Sequence, residues 1–248
     1  MRAHFAAMND ATLREALVTQ LRRNGALRTE PVAAAIRTVP RHQFMPGMSM
    51  SQAYADHAVA IKTEGDEVLS SISQPGMIAQ MLELLAPKPG DDVLEIGTGS
   101  GYNAALLAKL VGPAGSVTTL ELDEELAQRA RTTLFELGYT NVTVVTGDGS
   151  AYPLEPQRYD GITVTARSDD IAESWWRALR TDGRLVVPLR LEGAGEYAVG
   201  FERWDIGLRS VGAHPCAFIA IRGEAGAPAD GDVFYRDPAN RNAKVFLR

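Results

Sequence analysis

Gly97-Thr98-Gly99-Ser100-Gly101 carries the clearest chemical signal in the chain. It follows a strand-like apolar run, Val93-Leu94-Glu95-Ile96, and leads through Tyr102 into the helix-like stretch 103–108. Strand, glycine turn and helix in that order build a nucleotide-sized site at the carboxyl end of a strand. Glycine lets the backbone close on a ligand because no Cβ intervenes, and the first N–H groups of the helix face that ligand unpaired. The spacing is Gly-x-Gly-x-Gly, whereas the dinucleotide fingerprint sets its third glycine one residue later.

Two acids stand where such a site needs them. Glu121, followed by Leu122, ends the next strand, the position from which a carboxylate holds ribose hydroxyls. Asp148-Gly149 ends the third strand, where an acid reaches an adenine amino group or adjoining backbone. The turn holds no lysine or arginine, and no Gly-Lys-Ser/Thr occurs to suggest a nucleoside triphosphate. A cofactor with an adenosine and no phosphates fits, and S-adenosylmethionine (SAM) is the cofactor expected.

The elements that must position these residues alternate regularly. Strands are expected at 93–97, 116–122, 142–146, 159–165 and 184–191, with helices at 101–110, 124–137 and 170–180 between them. This is the pattern of an α/β doubly wound, mostly parallel Rossmann-like sheet. Residues 196–204 and 208–222 read as consecutive strands, hence an antiparallel edge. Ahead of the core, helices are expected at 10–24, with Thr12 and Glu15 at capping-box spacing, and from Thr29 to Arg37, giving a helical extension. Residues 41–50 read as irregular, and 62–67 as an exposed hairpin or loop tip. Met77, Ile78, Met81, Leu82 and Leu85 follow at helical spacing, so Ser73 is placed like the N-cap of that helix, with Pro75 in its first turn. One domain is expected over 1–223, divided into a substrate-side region (1–90) and a cofactor core (91–223), with a docked tail at 224–248.

The chain's 248 residues are 45% hydrophobic and 23% charged, an ordinary globular composition that can bury a core without staples. A net charge of −6 argues against nucleic-acid binding. The lone Cys216 sits in an apolar stretch and reads as a small buried hydrophobe in a reducing compartment. The four histidines are scattered, so no metal site is expected. No apolar run is long enough for a membrane span, and residues 1–5 lack a signal-peptide core, so a cytoplasmic location is expected. Of the adjacent Trp175 and Trp176, one is expected in the core and the other half exposed. Nothing in the sequence bears on the oligomeric state.

Residues 94–102, Val144-Val145-Thr146-Gly147-Asp148-Gly149 and Tyr159-Asp160-Gly161-Ile162 resemble class I SAM-dependent methyltransferases. Within that class the match is to the protein-L-isoaspartate O-methyltransferases, through residues 39–46, Ala53-Tyr54-Ala55-Asp56, Ile72-Ser73-Gln74-Pro75 and Gly183-Arg184-Leu185-Val186-Val187-Pro188. The resemblance runs from about residue 10 to about residue 190. It implies that SAM meets Glu95, Gly97 to Asn103, Glu121, Leu122, Asp148, Gly149 and Thr165. It makes Ser73, flanked by Ile72 and Gln74, the serine beside the substrate carboxylate of an aspartyl or isoaspartyl residue in a peptide or protein. Asp56 matches as well, with a structural hydrogen-bonding role expected of it.

The chain departs from the family after the fourth core strand, at Thr165-Ala166-Arg167-Ser168-Asp169-Asp170, where Arg167 sets a cation at the rim of the expected substrate cleft. The segment between Asp56 and Ser73 is long and charged, and the chain runs on through residues 216–223 and a tail. These features resemble relatives that methylate an aspartate of a ribosomally made peptide and leave an aspartimide. A general repair methyltransferase is the alternative within the family. An NAD-dependent oxidoreductase and a non-catalytic peptide-binding module are the alternatives of other classes.

Overall fold

The computed structural model describes residues 9–191, 193–204, 207–223, 233–236 and 244–247. Helices α1 (Asp10–Arg23) and α2 (Glu30–Thr38) come first, then a 3-10 turn (Arg41–Phe44) and the short α3 (Met50–Ala53). Strands β1 (Val59–Glu64) and β2 (Glu67–Ile72) form an antiparallel hairpin around Gly65-Asp66. Next come α4 (Pro75–Leu85), β3 (Asp92–Ile96), α5 (Tyr102–Val111), β4 (Ser116–Glu121), α6 (Glu124–Glu136) and β5 (Val142–Thr146). The chain continues through β6 (Tyr159–Val164), α7 (Glu173–Ala178), β7 (Leu179–Leu191), β8 (Gly195–Trp204) and β9 (Gly207–Pro215). Two short strands, β10 (Val233–Arg236) and β11 (Lys244–Leu247), pair antiparallel. The rest of the expected docked tail lies outside the described residues.

The main sheet has seven strands in the order β5-β4-β3-β6-β7-β8-β9. β5 to β7 are parallel, while β8 and β9 add antiparallel at one edge. The doubly wound α/β sheet with an antiparallel edge and an N-terminal helical extension is therefore the observed fold. Chain order reverses around β3, and the crevice beyond the carboxyl ends of strands at such a switch point is where these sheets bind ligands.

Val93 to Ile96 of β3 are all buried, and the face into which the apolar ones pack alternates as the pleat requires. Val93 joins the core formed by α1, α2, α4 and α5, whereas Leu94 and Ile96 join the core under α7 on the opposite face. Trp175 of α7 is fully buried there, and its indole N–H donates to the Gly149 carbonyl at 2.8 Å. Trp176 is only partly buried. Trp175→Ala is expected to destabilise the fold by about 3–5 kcal/mol, and Trp175→Phe by about 1–3 kcal/mol for the orphaned carbonyl. Chemical denaturation of both variants measures this.

Several boundaries differ from the sequence reading, each for a local reason. Helix α1 is capped by Asn9, whose side chain accepts the Thr12 N–H, so Thr12 and Glu15 form no capping box. Ser73 is not the N-cap of α4: that residue is Gln74, which makes no side-chain cap bond. The turn at 41–44 is helical rather than irregular. α7 is shorter than expected and β7 longer, the strand running through Asp182, which adopts a φ of +63°. β9 stops at Pro215; Cys216 still donates its N–H to the Glu196 carbonyl at 2.9 Å, and the residues after it, 217–222, leave the sheet instead of extending it.

Candidate active site

The glycine turn is strained in the way only glycine tolerates. Gly97, Gly99 and Gly101 have φ of +99°, +53° and +87°. Gly99 donates its N–H to Glu121 Oε2 at 2.8 Å, and Glu121 Oε1 accepts the Asp123 N–H at 3.1 Å. Glu121 is nearly buried, so one carboxylate ties the turn to the start of α6. Each oxygen keeps acceptor capacity for a ligand hydroxyl.

A cleft lies over the turn, at the carboxyl ends of four neighbouring strands. Ile96 and Gly97, Leu120 to Leu122, Gly147 and Gly149, and Thr165 and Ala166 form its floor. Two further walls went unrecognised in the sequence. One is Leu69, Ser70 and Ser71 of β2; the other is Phe218 to Arg222. The β1–β2 hairpin is held in place by Lys62, whose ammonium lies 2.6 Å from Asp123 Oδ2 and 3.0 Å from Glu125 Oε2. The 218–222 segment is held because Arg167 pairs with it through backbone on both sides: its N–H donates to Ile219 O and its carbonyl accepts from Ile221.

A second cavity adjoins the first. It is lined by Ile72, Ser73, Glu95, Thr98, Tyr102, Asn103 and Thr163, with Ser100 at its edge. Ser71, Gly97, Gly99 and Thr165 line both cavities, so the two meet at the glycine turn. Thr165 fixes this junction by donating its hydroxyl to Gly97 O at 2.6 Å and Ile96 O at 3.1 Å.

Glu95 sits in the wall of the second cavity with no solvent exposure. The Thr119 hydroxyl donates to its Oε2 at 2.6 Å and the Asn103 amide to its Oε1 at 2.8 Å. Burial pushes its carboxyl up to about 7; the two hydrogen bonds oppose the shift, and the Glu121 charge adds to it. The folded state therefore holds this proton between the ordinary value of 4.5 and about 7, where the unfolded chain has lost it. Stability falls as pH rises through that window. Glu95→Gln, which mimics the protonated form, is expected to gain about 3 kcal/mol over wild type above the window and nothing below it. Urea unfolding at a series of pH values checks both limits.

The other sequence-derived residues divide by position. Leu122 and Gly149 line the first cleft, whereas Asp148 does not; its carboxylate accepts the Ser150 N–H and hydroxyl. The Arg167 guanidinium turns to Glu196 at 3.0 Å, and Glu196 Oε2 also accepts the Phe218 N–H. Gln74 is exposed and lines neither cavity. Asp56 accepts the Gly76 N–H at 2.7 Å, satisfying the first turn of α4 from outside the helix. Cys216 is partly buried and its thiol is pushed up to about 12 by burial, in keeping with a packing role. Among the described residues no three His, Cys, Asp or Glu side chains group as a metal site, and no helix is long and apolar enough to cross a membrane.

The first cleft offers an adenosyl cofactor a closely packed glycine floor and, at the end of β4, the Glu121 carboxylate for its ribose hydroxyls. A Cβ on Gly97 would lie 2.4 Å from Thr165 Oγ1, and one on Gly149 2.4 Å from Ile96 Cγ2, so the floor admits only glycine at both points. When bound, SAM supplies an electrophilic methyl group on a sulfonium.

Comparison with known proteins agrees with that geometry. The family model described as protein-L-isoaspartate(D-aspartate) O-methyltransferase matches residues 12–224. A Methanopyrus kandleri protein-L-isoaspartate O-methyltransferase is 41% identical over 86% of this chain and 92% of its own. Protein-L-isoaspartate O-methyltransferase 2 of Archaeoglobus fulgidus is 40% identical over 86% and 94%. A solved protein-L-isoaspartate O-methyltransferase superposes with a TM-score of 0.76 at 32% identity, covering 86% of this chain and 67% of that one. A Plasmodium falciparum structure described as this enzyme in complex with S-adenosyl-L-homocysteine gives 0.73 at 20% identity, covering 87% and 99%, a likeness of fold. The match thus extends beyond residue 190, and residues 216–223 lie within the family rather than past its end. The oxidoreductase and binding-module alternatives fall away: the chain is a SAM-dependent methyltransferase and belongs to the protein-L-isoaspartate(D-aspartate) O-methyltransferase family.

Proposed function

We propose that the chain methylates the side-chain or free α-carboxylate of an aspartyl or isoaspartyl residue held in the Ser73 cavity. The observation that carries this reading is the junction of the two cavities at Ser71, Gly97, Gly99 and Thr165, across which an acceptor in one would face a cofactor in the other. A carboxylate is ionised at neutral pH, so the acceptor needs no strong base. The chain's residues contribute position and exclusion of water. Ser73 offers a hydroxyl to the carboxylate, and the β1–β2 hairpin and residues 218–222 close the cleft on two sides. In the reaction a carboxylate oxygen forms the new bond to the methyl carbon as the sulfur–methyl bond breaks, its electron pair staying on sulfur. In the resulting ester, the next backbone nitrogen attacks the carbonyl and expels methanol, leaving a succinimide.

Isoaspartyl residues of damaged proteins are the substrate class that the family's name supports. A second reading, an aspartate in one dedicated ribosomally made peptide, is favoured by the charged hairpin that walls the cleft and by residues 225–248, which lie beyond the family match. The two are separated by offering SAM with an isoaspartyl peptide, its aspartyl counterpart and a cyclised peptide, each followed by mass spectrometry. Ester formation on the isoaspartyl peptide alone supports repair; ester formation confined to the cyclised peptide supports tailoring. Ser73→Ala is expected to lower the rate by about tenfold through loss of one hydrogen bond to a charged group, with SAM binding unchanged by calorimetry. An unchanged rate would remove Ser73 from the account.

A further inference from the structure

Arg41, on the 3-10 turn, is fully buried, yet among the described residues no carboxylate lies in salt-bridge contact with it. Its Nε donates to the Ala53 carbonyl at 2.9 Å and its Nη2 to the Ser73 carbonyl at 3.0 Å. Its Nη1 is buried without a hydrogen-bond partner, and its guanidinium lies over the Tyr102 ring, 4.8 Å from the centroid. Burial works against the charge, while Tyr102 and Asp56 work in its favour. A charge so costly to bury is weak evidence of stability, since apolar side chains often serve a core as well or better. Something other than packing energy is therefore needed to explain it.

The place where the guanidinium binds supplies that reason. The Ser73 carbonyl falls between two elements: β2 ends at Ile72, and the first helical acceptor of α4 is Gln74, which receives the Ile78 N–H. Neither ladder holds Ser73, and Arg41 does. Asp56 holds Gly76 three residues on, so the segment is pinned at both ends from the same 41–56 region. Tyr102, under the guanidinium, opens α5 directly after the glycine turn and lines the Ser73 cavity. One side chain thus touches both the acceptor wall and the helix that follows the cofactor turn.

We propose that Arg41 is a positioning residue for methyl transfer, fixing Ser73 against the acceptor cavity through the serine's carbonyl. The inference rests on the reading of Ser73 as the residue that faces the substrate carboxylate. It gives the Pro40-Arg41-His42 segment a purpose in the reaction although the segment lines neither cavity.

The test is a double-mutant cycle on the full chain with an isoaspartyl peptide, using Arg41→Met, Arg41→Lys, Ser73→Ala and Arg41→Met/Ser73→Ala. Arg41→Met is expected to lower kcat/KM for the peptide by about tenfold while the SAM Kd stays within about twofold, and Arg41→Lys, which keeps the charge and reaches one carbonyl, to recover part of the loss. In the Ser73→Ala background Arg41→Met should cost less than about threefold more, because no hydroxyl remains to be positioned. Losses that multiply, or wild-type kcat/KM in the folded Arg41 variants, would overturn the inference and leave the Ser73 reading standing. Wild-type activity in Ser73→Ala alone would overturn the Ser73 reading, and this inference with it. If Arg41→Met does not fold, Arg41→Lys alone and in the Ser73→Ala background carries the same comparison.

Discussion

Gly97→Ala is expected to lower SAM affinity by tenfold or more and to destabilise the fold by about 1–3 kcal/mol from backbone strain alone. The strain arises because Gly97 sits at φ +99°, outside the range L side chains favour. The affinity loss arises because the new Cβ would fall 2.4 Å from Thr165 Oγ1. Thr165 cannot simply turn away, since its hydroxyl is donated to Gly97 O and Ile96 O. The collision must move the junction between the two cavities. Gly138→Ala is the control: φ is +78° there, but nothing lies within 4 Å of the added Cβ. It should cost comparable stability and leave SAM affinity unchanged. Calorimetric SAM titration beside thermal unfolding separates the two effects.

Glu121→Ala is the second large effect. It orphans the Gly99 and Asp123 N–H groups together, each costing about 1–3 kcal/mol when buried without a partner. It also removes the carboxylate that faces the cleft from the end of β4, and hydrogen bonds to charged groups carry about 1.5–3 kcal/mol each. SAM affinity is expected to fall by about 10- to 100-fold, and the melting temperature to drop with it. Glu121→Gln can keep only one of its two carbonyl-type acceptors and should fall between alanine and wild type in both measurements. A Glu121→Ala protein that binds SAM normally would show that the carboxylate serves the turn alone.

The fold was legible because its signals are local. Strand β3, the glycine turn and α5 are contiguous, and apolar period together with φ-positive glycines announces each. Glu121 was found for the same reason, as an acid at a strand end. The parts that were not legible depend on contacts between distant segments. Ser73 looked like a helix cap by spacing, yet its neighbour Gln74 takes that position and Asp56, far back in the sequence, satisfies the first turn. Residues 208–222 read as one strand because no local signal marks where the ladder stops; its last bond is from the Cys216 N–H to the Glu196 carbonyl, and the remainder crosses to Arg167 to wall the cleft. Arg167 was expected to offer its cation to a substrate, but Glu196 takes it, and no local pattern announces a partner 29 residues away. Arg41 carried no signal beyond its place in a family-like segment, since an arginine on a short turn ordinarily points to solvent.

These long-range contacts surround one arrangement, a cleft opening onto the Ser73 cavity, which we propose receives the substrate carboxylate. The bond formed there is its most direct test. The protein is incubated with SAM labelled in its methyl group and an isoaspartyl peptide, and the labelled peptide is then exposed to mild base. The account predicts label on the peptide that base releases as volatile methanol, because a carboxyl ester hydrolyses. Label that stays on the peptide through the base treatment would mean a nitrogen, sulfur or ether acceptor and would contradict it, as would the absence of transferred label.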